Sequence, residues 1–113
     1  MRTVWIISFL LAILLTVQPG WSQEARGTIV GRVTDVTGAV APGVTIRLRH
    51  VATGVSRNTE TNAQGNFSAP LLPSGIYEVT AEKQGFKHYS RGGIELRIID
   101  DLEVNIVLEV YYK

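Results

Sequence analysis

The chain has 113 residues, enough for one domain with its own core and too few for two. Eleven Lys and Arg against ten Asp and Glu leave a net charge of +1, which excludes the basic footprint that nucleic-acid binding needs. Cysteine is absent, so disulfides, thiolate metal sites, cysteine nucleophiles and a lipid-attachment cysteine are excluded as well.

Met1-Arg2-Thr3 gives a short positive start, and Val4 to Val17 is a mostly apolar run. Gln18-Pro19-Gly20 breaks that run, and Gly20 and Ser22 place small residues at −3 and −1 of a cut before Gln23. Positive start, apolar stretch and small-residue cut site are the layout of a secretory signal peptide, expected over residues 1–22. An uncleaved membrane anchor is the alternative, although the apolar run falls short of the roughly twenty residues that span a bilayer. With no polar face, the run does not read as a buried amphipathic helix. The expected mature domain is 23–113, and since Arg2 is the leader's single charge, ten basic side chains then face ten acidic ones.

Eleven glycines and four prolines punctuate the chain, and beyond the leader it reads as all-β. Thr28 to Thr34 is a strand with Ile29 and Val33 inward and Gly31 admitting a close neighbour. Asp35-Val36-Thr37-Gly38 has Asp first and Gly fourth, the type I preference. Ala39 to Gly43 is an irregular extended connection. Val44 to His50 alternates, with Val44, Ile46 and Leu48 inward and Thr45, Arg47 and Arg49 in water. Ala52-Thr53-Gly54 turns the chain into Val55–Thr61, polar on both phases and so expected at a sheet edge.

Asn62 to Gly65 reads as a turn opening a hairpin into Asn66–Ala69, with Phe67 inward. Pro73-Ser74-Gly75 is a turn into a strand whose inner face is Tyr77, Val79 and Ala81. Gly85-Phe86 is a further turn with an apolar anchor. Lys87 to Gly93 reads as a polar loop closed by Gly92-Gly93. Ile94–Ile98 is a short strand followed by a bend at Ile99-Asp100-Asp101. A last strand from Leu102 to Val110 buries Leu102, Val104, Ile106, Leu108 and Val110.

With these turns placed, a spaced pattern emerges: Ile29-x-Gly31-x-Val33-x-Asp35-x-x-Gly38-Ala39-x-x-Pro42-Gly43-Val44-x-Ile46. It continues as Thr61-Asn62-x-x-Gly65-x-Phe67 and then Leu72-Pro73-x-Gly75-x-Tyr77-x-Val79-x-Ala81-x-x-x-Gly85-Phe86. The pattern resembles the carboxypeptidase regulatory-like domain, of the transthyretin-like and collagen-adhesin B-type group. The resemblance implies a single prealbumin-like, carbohydrate-binding-like Greek-key β-sandwich of about seven strands. Such domains are attached to metallocarboxypeptidases, to surface adhesins and to the N-termini of bacterial TonB-dependent outer-membrane receptors. A leader followed directly by this domain, with Thr53-Gly54-Val55-Ser56-Arg57-Asn58-Thr59, most resembles the receptor arrangement. Plug and barrel are missing here, so the expectation is either a small stand-alone exported protein or a piece of such a gene. The shared residues are turn formers and inward apolar groups, and they speak for a fold more than for a site.

No catalytic constellation emerges. His50, at a strand end, and His88, in a polar loop, belong to no zinc-ligand spacing, and no nucleophile elbow or serine triad is present. Some collagen-adhesin B-type relatives join a first-strand lysine to a last-strand asparagine. Asn105 is available for such a crosslink, but the first strand offers Arg32, whose guanidinium stays protonated and cannot attack. Asp100-Asp101 lacks the further oxygen ligands of a calcium loop and reads as a solvated bend. Asn66-Phe67-Ser68 matches a glycosylation sequon but lies on a strand. Saccharide sites combine an aromatic platform with polar hydrogen-bonders. With Trp5 and Trp21 in the leader and Tyr77 in the core, Tyr89 beside His88 and Arg91 is the mid-chain aromatic expected to be exposed and so the candidate platform, the tail adding Tyr111 and Tyr112.

The expectation is therefore a non-catalytic exported interaction module of the bacterial cell envelope, without cofactor or metal, located in the periplasm, at the outer membrane or outside the cell. Its partner would be an envelope protein, reached for instance by β-augmentation at the Val55–Thr61 edge, with a glycan as the alternative. Membrane association would come only through an uncleaved leader or a partner.

Overall fold

A computed structural model describes residues 26–111; the expected leader, its cut site and Tyr112 lie outside the described residues. Eight strands and no helix are found among them: β1 (Arg26–Asp35), β2 (Thr45–His50), β3 (Ser56–Glu60), β4 (Asn66–Pro73), β5 (Gly75–Glu82), β6 (Tyr89–Leu96), β7 (Asp101–Glu103) and β8 (Ile106–Leu108). One sheet runs β4-β1-β7, with β8 also on β1, and the other runs β3-β2-β5-β6. The alternation read from sequence fixes which face each strand turns inward. Ile29 and Val33 of β1, Ile46 and Leu48 of β2, and Tyr77, Val79 and Ala81 of β5 meet between the sheets, each at most 1% exposed. Phe67, Leu72, Leu96 and Ile106 complete the interior.

Sheet two is antiparallel throughout, with unbroken ladders from β3 through β2 to β5. β2 pairs β5 residue for residue from Thr45↔Glu82 to His50↔Tyr77. β3, polar on both phases, pairs β2 alone and forms an edge, as its composition requires. β6 is the opposite edge and begins earlier than the sequence suggests: Tyr89 already pairs with Ala81, and Gly92-Gly93 lies within the strand. The expected loop over 87–93 is thus corrected. Between Tyr77 and Val79 the partner strand advances from Ile94 to Arg91, one residue more, so the glycine pair forms a β-bulge.

Sheet one is irregular. β1 is antiparallel to β4 but parallel to both β7 and β8, which follow its first and second halves in turn. The single last strand expected over Leu102–Val110 is therefore two short strands, giving eight rather than about seven. Val104, Ile106 and Leu108 are buried, Leu102 is half-buried, and Val110 is exposed.

Two connections that look like turns within a sheet instead cross between sheets. Asn62–Gly65 closes with Gly65 N donating to Asn62 O at 2.9 Å, and the Asn62 side chain accepts from the Gln64 and Asn66 amides at 3.0 Å each. The strands it joins do not pair: β3 belongs to sheet two, while β4 pairs β1. The hairpin expected there is corrected to a crossover: β3 is laid against β2 in one sheet and β4 against β1 in the other. At Ser74 the chain crosses back. Gly75, at φ 145°, lies where a Cβ would come 2.4 Å from His50 Nε2, so only glycine lets the corner close on that ring.

The Asp35–Gly38 turn forms as expected, with Gly38 N donating to Asp35 O at 3.0 Å. Asp35 Oδ1 accepts from the Thr37 hydroxyl at 2.6 Å, the Thr37 amide at 2.8 Å and the Ala39 amide at 3.1 Å. These bonds, the Thr37 hydroxyl foremost, hold the carboxyl below its usual range. Thr61 ties the next loop down: its buried hydroxyl donates to Ala41 O at 2.7 Å and accepts from Val44 N at 2.9 Å.

Candidate functional site

The two histidines end at opposite ends of sheet two. His50 is the last residue of β2, opposite Tyr77, whereas His88 reaches Glu82, which pairs with Thr45 at the other end. Five residue steps along a strand put roughly 17 Å between those ends. His50 is buried, edge-on to the Tyr77 ring at 5.1 Å between centroids and 79° between planes. Its Nε2 lies 3.0 Å from Ser74 O, an atom that can only accept, so Nε2 carries the proton. Nδ1 then accepts from Thr53, whose amide and hydroxyl lie at 3.3 and 3.0 Å. Both ring nitrogens are engaged in holding the β2–β3 turn against the Ser74 corner.

His88 Nδ1 lies 3.1 Å from Glu82 Oε1, both side chains in water. Tyr89, next along the chain, turns to the other side of the strand and packs half-buried against the core, in register with buried Ala81. The expectation of an exposed Tyr89 is thereby corrected: it is a rim residue of the interior. Arg91 is exposed. His88 and Arg91 are thus exposed, while Tyr89 between them packs inward. Asp100 gives its carbonyl to Thr28 N at 2.8 Å, and Asp101 opens β7. Among the described residues no group of three or more His, Asp or Glu side chains is placed to share a metal ion.

The most elaborate polar arrangement lies on the outer face of sheet one, where β7 gives way to β8. Val104 N still donates to Val30 O at 2.7 Å. One step on, the ladder is completed by a side chain: Arg32 N donates to Asn105 Oδ1 at 3.1 Å. Asn105 Nδ2 donates to Glu103 Oε1 at 2.8 Å, and Arg32 Nε donates to Asn66 Oδ1 at 3.2 Å. Arg32 and Asn105 do meet, then, as hydrogen-bond partners in a broken ladder. Gly31 makes the close approach possible, since a Cβ there would lie 1.8 Å from Val104 O and 2.7 Å from the Phe67 ring. Beside the break is an open concavity of about 730 Å³ between these polar groups, Val30 and Val107. No motif in the sequence announces this face; its only signs are Gly31 in an apolar strand and Asn105 between Val104 and Ile106.

The fold and its turns have counterparts among known proteins. Residues 28–109 match the carboxypeptidase regulatory-like domain. The chain is 37% identical over 87 residues to the TonB-dependent transporter Oar of Myxococcus xanthus, a match covering 72% of this chain and 8% of the transporter. A Bacteroides uniformis protein described as a candidate carbohydrate-binding protein superposes with a TM-score of 0.61 at 17% identity, over 74% of this chain and 41% of its own. The Klebsiella pneumoniae 5-hydroxyisourate hydrolase superposes with a TM-score of 0.56 at 27% identity, over 74% of this chain and 85% of the enzyme. The Bacteroides likeness is one of fold alone, and the transporter match spans a small part of its relative. The family match, by contrast, takes in β1 to β8 almost entire, and by it the chain belongs to the carboxypeptidase regulatory-like domain family.

Proposed function

We propose that this chain is an exported, non-catalytic binding module of a bacterial cell envelope, acting as an accessory piece of outer-membrane transport of the TonB-dependent kind. The observation that carries the reading is the 37% identity to a TonB-dependent transporter across the domain, more than a shared sandwich requires. The use of the titratable side chains supports the non-catalytic half. His50 spends both ring nitrogens on backbone and turn, and His88, with Glu82, lies at the far end of the same sheet, so among the described residues the two histidines do not converge on one site. The layout of residues 1–22 supports export.

Expression with the native leader, followed by cell fractionation and N-terminal sequencing, tests the compartment. The expected result is a chain beginning at Gln23 in the periplasmic or outer-membrane fraction; full-length chain confined to the cytoplasm would overturn it. Assay of the purified domain with 5-hydroxyisourate tests the other half, and turnover above the uncatalysed rate would defeat the non-catalytic reading.

A further inference from the structure

The break in sheet one leaves hydrogen-bonding capacity aimed outward. Among the described residues, Arg32 uses Nε on Asn66 but neither terminal Nη, Asn66 Nδ2 has no partner, and Glu103 spends one carboxylate oxygen on Asn105. Arg32 and Glu103 line the same concavity without closing an ion pair on each other. Both are exposed strand side chains, and each is oriented by its amide partner rather than left to rotate freely. The array is thus preorganised, with donors from Arg32 and Asn66 on one side and an acceptor from Glu103 on the other.

The mixture of signs selects the ligand. An anion would meet the Glu103 carboxylate, and a cation would meet the Arg32 guanidinium. A neutral hydroxyl both accepts and donates, so adjacent hydroxyls satisfy the two sides together. Between them the surface is apolar: Val107 is 53% exposed and Val30 is half-buried, and both line the concavity. A ring carrying hydroxyls at its rim and C–H groups on its face matches that alternation. We propose that the outer face of sheet one, at the Arg32–Asn66–Glu103 array, is a binding site for a neutral saccharide. This inference goes beyond the envelope reading and does not depend on the compartment, since binding is read on the purified domain.

The test is titration of the isotopically labelled domain with maltose, cellobiose and N,N′-diacetylchitobiose, followed by amide chemical shifts. At least one sugar is expected to shift Arg32, Asn66, Glu103 and Asn105 together. Arg32→Ala and Glu103→Gln, both at exposed positions, should each weaken that binding about tenfold or more while leaving the melting temperature in place. Arg47→Ala, on the outer face of sheet two, should leave it unchanged. Absence of shifts with all three sugars, shifts clustered instead at His88 and Arg91, or affinity unaltered by both variants would each overturn the assignment. Export and fractionation of the same chain stand or fall separately.

Discussion

The two sheets of this sandwich enclose the same core and finish their ladders differently. In sheet two, β2 and β5 pair without a gap: Ile46 faces Ala81 and Leu48 faces Val79 on the inside, while Arg47 faces Thr80 and Arg49 faces Glu78 outside. In sheet one the central strand changes partner midway, and an asparagine side chain replaces a backbone carbonyl at the change. A continuous ladder satisfies its own polar groups and leaves a solvated surface. A broken one needs side chains to repair it, and the repair sets polar groups at fixed positions beside a concavity. The irregular sheet is thus where a rigid scaffold acquires something to bind with.

The largest expected effect strikes the regular sheet. Val79 is fully buried and opposite Leu48, so Val79→Asp places a charge where no partner or water reaches it. A loss of about 4 kcal/mol or more is expected, enough to unfold the domain, measured by urea denaturation. A loss below about 1 kcal/mol would mean that sheet two does not seal the core. Gly31→Val attacks the irregular sheet by a different route. Its Cβ would lie 1.8 Å from a backbone carbonyl and 2.7 Å from a ring, and a backbone carbonyl cannot retreat as a side-chain tip can. About 3 kcal/mol is expected, accompanied by loss of amide protection at Val104 and Asn105 before β2 and β5. Uniform loss across both sheets would erase the distinction drawn between them.

Tyr77→Phe probes the corner that joins the sheets. The Tyr77 hydroxyl donates to Pro73 O at 2.6 Å, four residues back, and its removal should cost about 1 kcal/mol. The pH dependence sharpens this. Burial pushes the phenol above its ordinary range, with Arg57 and Arg26 pulling the other way. A raised folded-state value means that the folded chain keeps a proton the unfolded chain gives up. The contribution is whole below the unfolded-state value of about 10 and is lost as pH climbs through the folded-state one. Wild-type stability should therefore fall above about pH 10 more steeply than that of Tyr77→Phe, and parallel curves would refute the burial of the phenol.

The regular sheet was legible in the sequence for a physical reason. Alternation of period two in Val44–Leu48 and Tyr77–Ala81 reports which side chains are inside, whatever pairs with whom. The same rule placed Ile29, Val33 and Phe67 in the core and the polar Ser56–Glu60 strand at an edge. Pairing partners are not carried by periodicity. A turn that could close a hairpin and one that crosses between sheets have the same composition, which is why Asn62–Gly65 reads as a hairpin and is a crossover. Gly92-Gly93 likewise looks like a loop and is a bulge, because glycine marks both. Tyr89 misleads by its polar neighbours: alternation, applied one residue earlier, would have placed it against Ala81 and the core. The array on sheet one was invisible for a deeper reason, since Arg32 meets Asn66 through the β1–β4 pairing and Asn105 through the change of partner from β7 to β8, neither of which periodicity carries.

The smallest effect tests whether the outer surface of sheet two is as passive as its regularity suggests. Arg47 is exposed, and its one hydrogen bond runs from Nε to the Ser56 hydroxyl at 3.2 Å. Its direct neighbours across the sheet are Asn58 and Thr80, both uncharged. Arg47→Glu gives up that solvent-exposed bond and sets a new carboxylate near Glu78 and Glu82, which are diagonal neighbours at roughly 7–8 Å. At physiological ionic strength such a separation is close to one Debye length of about 8 Å, so the repulsion between these exposed groups is partly screened and small. The expected change is within about 0.5 kcal/mol, with sugar shifts on sheet one unaltered. A collapse of the fold would mean that β2 presents Arg47 rather than Ile46 and Leu48 to the interior. A silent substitution here beside a ruinous one at Val79 would show that sheet two seals the core with its inner face while its outer face adds little to stability.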